Sequence, residues 1–185
     1  MANLLTTIRL TIVVPTAVGF ARPDLVPSLM LAGFVAAAIA TDYFDGVIAR
    51  RFGTATARGQ LFDHTADFLF VTCGLAGAAV GGIIPWILPA LIVVAFSQYV
   101  LDSYFFDHTK RLRMSVIGRW NGILYFVPLV AISLSRLGFA DNAEVALSSL
   151  WMVLSYLLIA STVVSIADRA FAPRQAAGQG EISSR

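Results

Sequence analysis

Four aspartates offer the clearest chemistry in this chain. Asp42, Asp45, Asp63 and Asp67 fall within 26 residues of a sequence that has only 11 acidic residues in all. The first pair is three residues apart and the second pair four, so each pair lies on one face of a helix. Carboxylates crowded into apolar surroundings repel one another and are costly to desolvate unless cations bind among them. Oxygen ligands favour a hard divalent cation such as Mg²⁺ or Mn²⁺ over zinc.

The aspartates belong to a longer pattern, D-x2-D-G-x2-A-R-x8-G-x3-D-x3-D, whose eight fixed positions are all occupied. This pattern resembles that of the CDP-alcohol phosphotransferase family, integral membrane enzymes of phospholipid synthesis. The resemblance implies that the four aspartates hold two divalent cations, Mg²⁺ or Mn²⁺. It makes Asp63 and Asp67 the catalytic pair, with Asp67 as general base. It also assigns contacts with the cytidine diphosphate donor to Gly46, Ala49, Arg50 and Gly59.

The implied reaction starts from CDP-diacylglycerol. An acceptor hydroxyl that has lost its proton to Asp67 would attack the phosphorus next to diacylglycerol, and CMP would leave. Arg50 would orient the pyrophosphate through paired hydrogen bonds from its planar guanidinium. The alternative is a solvated charged loop between two helices, but such a loop has no reason to space aspartates at helical intervals. For Gly46 alone, helix–helix packing is an equally good explanation.

A second motif lies in the first helix. Asn3, Thr6 and Arg9 form N-x2-T-x2-R, which resembles the start of phosphatidylglycerophosphate synthases within the family. Helical spacing puts the three on one side of the helix, where we expect them to line the cytidine or phosphate pocket of the donor. The alternative is a snorkelling Arg9 preceded by a polar cap.

A basic cluster precedes the fifth predicted helix. The resemblance implies basic residues near here for the phosphate of a phosphorylated acceptor, and Arg119, at the helix start, is the first choice. For Lys110, Arg111 and Arg113 we favour contact with anionic lipid headgroups. Asp102, Asp107 and His108 could face the cavity, although a helix end in water tolerates charge. His64 is expected to point away from the carboxylates.

The identity of the acceptor stays open. Phosphatidylglycerophosphate synthases tend to carry a lysine directly after the last aspartate, whereas Phe68 follows Asp67 here. Glycerol 3-phosphate or another phosphorylated alcohol is the first choice, and phosphatidylglycerol, inositol phosphate and serine are the alternatives.

The composition indicates a membrane protein. The chain is 58% hydrophobic and 13% charged, with a mean hydropathy of +0.79, whereas soluble domains carry about 25% charged residues. A net charge of +2 is small and says little about partners. We expect the partners to be the lipid bilayer and the substrates, with no nucleic-acid polymer. Cys73 is the only cysteine, so an intrachain disulfide is excluded.

Six apolar stretches, each of about 20 residues, predict an all-α protein with six transmembrane helices. The spans begin near residues 4, 27, 60, 87, 116 and 143. Eleven of the 13 Lys and Arg residues would then lie on one side, with only Arg22 and Arg136 opposite. By the positive-inside rule both termini and the aspartates are cytoplasmic. We therefore expect a catalytic domain over 1–172 in a bacterial inner membrane and a disordered tail over 173–185. The family resemblance also implies a homodimer.

Two other classes of function compete with the enzyme. A divalent-cation transporter could use the aspartates for selectivity, but transport sites tend to lie near the bilayer midplane, whereas these lie at one edge with arginines between them. A catalytically silent assembly partner is the other class, and four intact aspartates argue against it.

Overall fold

The computed structural model describes residues 2–51, 57–101, 116–138 and 144–171. Every regular element in those ranges is an α-helix, so the all-helical prediction is confirmed for them. The helices are α1 (Ala2–Ala21), α2 (Ser28–Arg51), α3 (Ala57–Val80), α4 (Ile87–Leu101), α5 (Val116–Leu124), α6 (Phe126–Ser135) and α7 (Glu144–Phe171). The predicted tail over 173–185 lies outside the described residues.

Within the described ranges, three helical stretches are long and apolar enough to cross a membrane. They are Ser28–Val47, Ile117–Ser135 and Leu147–Ala170. Two shorter apolar helices cover Leu5–Ala21 and Ile87–Leu101. These lengths agree with an integral membrane protein, while the number of six spans and the side of the termini stay predictions.

The fifth predicted span is not one unbroken helix. It is divided at Tyr125 into α5 and α6, although Tyr125 keeps helical backbone angles and its N–H still donates to the Asn121 carbonyl at 2.9 Å. Pro128 explains the break, because proline has no N–H to donate and its ring crowds the carbonyl four residues earlier. The interruption therefore follows from one residue inside an otherwise apolar stretch.

Helix α1 packs against both α2 and α3, which carry the aspartates. Its approach to α3 is close enough to need glycine. A Cβ atom on Gly77 would lie 2.9 Å from the Ala17 carbonyl carbon and closer still to the oxygen. Small residues let helix backbones approach in this way. The core around this contact includes Phe20, Leu31, Val35, Phe70, Leu75, Leu88, Leu129 and Ile132.

Arg136, just after α6, holds the far end of α1. Its guanidinium donates to the carbonyl oxygens of Gly19 at 2.6 Å and Phe20 at 2.9 Å. The last carbonyls of a helix have no partner within the helix, so Arg136 satisfies groups that would otherwise be left unpaired. With this contact and the close approach at Gly77, α1 has a defined position against its neighbours.

Candidate active site

The four aspartates meet around one guanidinium. Arg9, fully buried on α1, donates from Nη1 to Asp63 Oδ1 at 3.1 Å and also to Asp67. Its Nη2 lies 3.6 Å from Asp42 Oδ1 and 4.0 Å from Asp45 Oδ2. Helix α2 supplies the first pair of carboxylates and α3 the second, so three helices build the cluster.

Thr6 joins the cluster from the turn before Arg9. Its buried hydroxyl donates to Asp45 Oδ2 at 3.1 Å. Asp45 has the most buried side chain of the four acids, 5% exposed, and its second oxygen has no hydrogen-bond partner among the described residues. Because Thr6 and Arg9 are three residues apart, both reach the acids from one face of α1.

The cluster opens on one side into a cavity of about 930 Å³. Asp42, whose side chain is 47% exposed, and Asp67 line it. Much of the remaining wall is apolar and includes Val71, Ile92, Phe96, Phe126, Val130 and Leu134. A cavity that joins carboxylates to an apolar wall suits a ligand with a polar group and a hydrocarbon part.

Two arginines also line this cavity. Arg119, for which a role at the acceptor stays a prediction, comes from α5, and Arg169 comes from the last turn of α7. The Arg169 guanidinium lies over the ring of Tyr99, 5.0 Å from its centroid. In the sequence, Arg169 is one of the 11 Lys and Arg residues that predict the cytoplasmic side. Arg169 lies in the last turn of the last helix, on the same predicted cytoplasmic side as Arg119. That shared side was the signal in the sequence that Arg169 could reach the site.

His64 differs from its prediction. It was expected to point away from the carboxylates, yet it lines the cavity. One of its ring nitrogens and one oxygen each from Asp63 and Asp67 lie within 4.8 Å of one another. His64 and Asp67 are three residues apart and so share a helix face, and this spacing is the signal in the sequence for the position of His64.

The donor set fits a hard divalent cation. Four carboxylates each place an oxygen within 4.0 Å of one buried guanidinium, and one ligand atom each from Asp63, His64 and Asp67 lie close enough together to hold a cation. The unpaired buried oxygen of Asp45 adds an acceptor that nothing else among the described residues uses. Carboxylate oxygens in this number are the ligands that Mg²⁺ and Mn²⁺ take.

Several predicted site residues are described only in part or not at all. Gly46 on α2 and Gly59 on α3 are half-buried. Asn3, Ala49 and Arg50 lie in helices, but their side chains fall outside what the structure describes. The remaining candidates lie outside the described residues: Asp102, Asp107, His108, Lys110, Arg111 and Arg113.

Comparison with known proteins supplies independent findings. A family model described as CDP-alcohol phosphatidyltransferase matches residues 1–169. A Mycobacterium tuberculosis protein named "probable phosphatidylglycerophosphate synthase" is 32% identical over 182 residues, 92% of this chain and 81% of the relative.

Two further relatives carry a more detailed name, CDP-diacylglycerol–glycerol-3-phosphate 3-phosphatidyltransferase. The one from Mycoplasma genitalium is 29% identical over 150 residues, 70% of this chain. The match spans 63% of that relative, less than two thirds of its length. The one from Rickettsia felis is 27% identical over 133 residues, 71% of each chain. No solved structure matches the chain.

Proposed function

The chain belongs to the CDP-alcohol phosphatidyltransferase family, and on that basis we propose that it transfers the phosphatidyl group of CDP-diacylglycerol to an alcohol and releases CMP. The observation that carries this proposal is the meeting of four carboxylates around Arg9, two of which, Asp42 and Asp67, line a largely apolar cavity. The carboxylate end suits the charged pyrophosphate once cations are bound, and the apolar wall suits the acyl chains.

The proposed cation ligands are Asp42, Asp45, Asp63 and Asp67. Divalent cations bound there would neutralise the donor phosphates and the charge that builds up on the departing CMP. Thr6 holds the Asp45 carboxylate in place through its hydroxyl. The proposed donor contacts are Asn3, Thr6, Arg9, Gly46, Ala49, Arg50 and Gly59.

Asp67 is the proposed general base. It lines the cavity, so an acceptor hydroxyl that enters can reach its carboxylate. Asp67 would take the hydroxyl proton as the oxygen forms its bond to the phosphorus next to diacylglycerol. The bond from that phosphorus to the CMP oxygen breaks, and CMP carries away the electron pair. Asp63, one turn earlier on α3, belongs to the same catalytic pair.

Glycerol 3-phosphate is the proposed acceptor. The names of the Mycoplasma and Rickettsia relatives support it, and so do the cavity-lining side chains of Arg119 and Arg169, which suit a phosphate. Phe68 occupies the position where phosphatidylglycerophosphate synthases tend to carry lysine. Its ring stacks on that of Phe96, with the two ring centroids 4.0 Å apart. This position therefore contributes to an apolar wall rather than to phosphate binding. Phosphatidylglycerol, inositol phosphate and serine are therefore included in the test.

We also propose six spans in a bacterial inner membrane, a cytoplasmic site and a homodimer. The positive-inside count supports the orientation. A cytoplasmic site would give the enzyme access to water-soluble acceptors from one side and to lipid donors from the bilayer.

The decisive experiment is an acceptor screen. Purified protein is incubated with labelled CDP-diacylglycerol and each candidate acceptor, in Mg²⁺, Mn²⁺ or EDTA. We expect CMP release and a phosphatidylglycerophosphate product with glycerol 3-phosphate, loss of both in EDTA, and recovery when metal is restored. Absence of CMP with every acceptor in the presence of metal would overturn the proposal. Divalent-cation flux into liposomes, measured in parallel, would instead indicate the transporter.

A further inference from the structure

Arg9 contacts all four carboxylates and is itself incompletely bonded. Its Nη1 donates hydrogen bonds to Asp63 and Asp67. Nε and Nη2 are buried without a hydrogen-bond partner among the described residues. A guanidinium has five N–H donors in a rigid fork, so this side chain is held by charge more than by matched hydrogen bonds. Nε and Nη2 therefore have no hydrogen bond among the described residues that would have to break if Arg9 moved.

The formal charges point the same way. Counted as ionised, the four carboxylates leave three negative charges against one guanidinium in a site formed by buried and half-buried groups. Two divalent cations would neutralise the four carboxylates by themselves, and Arg9 would then add an unbalanced positive charge close to both ions. Like charges at such separations repel strongly where water is scarce.

We propose that Arg9 is an exchangeable internal cation: its guanidinium and the divalent cations compete for the same aspartate oxygens, and metal binding moves Arg9 off the carboxylates. This inference rests on the metal site proposed above. It implies that an incoming cation must displace Arg9, which makes the free energy of metal binding less favourable. Arg9 would stabilise the site before metal binds and weaken the affinity for metal. Once displaced, its charge becomes available at the same place to an anionic ligand such as a donor phosphate.

The test is the affinity for Mn²⁺ without nucleotide or lipid donor, measured by calorimetry on the detergent-purified full chain. Arg9→Gln removes the competing charge, and we expect it to bind Mn²⁺ about tenfold more tightly than the wild type or better. Arg9→Lys keeps the charge but replaces the fork by a single ammonium group, and should give a smaller increase. Arg22→Gln, an exposed arginine beyond the other end of α1, is the matched control and should bind as the wild type does.

A second measurement is thermal unfolding in EDTA and in Mn²⁺. In EDTA, Arg9→Gln should unfold at a lower temperature than the wild type. Addition of Mn²⁺ should raise its unfolding temperature by more than it raises that of the wild type. Equal or weaker Mn²⁺ binding by Arg9→Gln would overturn the inference while leaving the metal site intact. If that variant does not fold, Arg9→Lys decides, with unchanged or weaker binding counting against exchange. Failure of the wild type and of every variant to bind Mn²⁺ would contradict the metal site itself.

Discussion

Asp45 is the residue of this site whose burial most requires a positive charge nearby. Its carboxylate is almost fully buried, yet the described residues give it one hydroxyl partner, Thr6, and a guanidinium at 4.0 Å. A buried charge with so few partners is costly unless a cation is bound nearby. The hydroxyl of Thr6 and the charge of Arg9 therefore contribute more to the stability of the folded protein than polar contacts on the surface do.

Replacing Asp67 by Asn removes the proposed base and keeps the shape of the side chain. We expect a loss of about 10²-fold or more in kcat, with the affinity for CDP-diacylglycerol little changed, measured by CMP release and by donor binding. Asp24→Asn, in the exposed segment after α1, should behave as the wild type. A loss of donor affinity as large as the loss of rate would show that Asp67 mainly holds metal.

Thr6→Val tests the buried hydroxyl. It removes the hydrogen bond to Asp45 and leaves a buried carboxylate oxygen with one partner fewer, so we expect a loss of about 1–3 kcal/mol. The thermal midpoint in EDTA should fall, and Thr6→Ser should recover most of the difference. Thr11→Val is the control, because Thr11 is exposed on the same helix and, among the described residues, donates to the Ile8 carbonyl of its own helix. Equal effects at both positions would refute a special role for Thr6.

At the scale of helices, the site depends on how closely α1 approaches α3. Arg9 lies on α1 and Asp63 and Asp67 lie on α3, so any displacement between the two helices changes their contacts directly. The absence of a side chain at Gly77 permits this approach. Arg136 limits movement of α1 at its other end. The positions of these two helices thus determine whether the cation and acids meet.

Gly77→Ala is the corresponding prediction. The new Cβ would meet the Ala17 backbone, which cannot yield as a flexible side chain would, so we expect a loss of about 1–3 kcal/mol. Mn²⁺ affinity should also change because Arg9 moves relative to Asp63. Gly33→Ala is the matched control: it lies on an exposed face of α2 with no atom within 4 Å of the added Cβ. Thermal midpoints and Mn²⁺ titrations of the pair should differ, and identical behaviour would contradict the close-packing argument.

At the scale of the whole molecule, the prediction to test is the orientation in the membrane, with six spans and both termini in the cytoplasm. Six spans would put the segment after α1 and the end of the chain on opposite sides. Single cysteines at Asp24 and Ser183, introduced into a Cys73→Ala background, can be labelled with a membrane-impermeant thiol reagent. We expect Asp24→Cys to react from outside intact cells and Ser183→Cys only after the cells are opened. Reaction of both from the same side would require an even number of spans between them and would contradict the six-span prediction, which puts five there.

Regular patterns within short stretches of the sequence predicted the helices, the faces that the aspartates share and the family. Apolar length predicted the helices because a bilayer requires about 20 residues per span, and spacings of three and four predicted that each aspartate pair shares a helix face. The pattern over 26 residues was specific enough to indicate the family that residues 1–169 match. The break at Tyr125 was also foreseeable, since Pro128 acts within its own helix.

Contacts between distant parts of the chain came only from the folded structure. Thr6 meets Asp45 across 39 positions, and Arg9 meets Asp67 across 58. Arg169, from the last helix, lines the cavity that Asp67 also lines. Helical periodicity tells which residues share a face but not which face meets which neighbour. That choice depends on packing, here on the absence of a side chain at Gly77, and so the placement of Arg9 among the aspartates is a property of the tertiary structure.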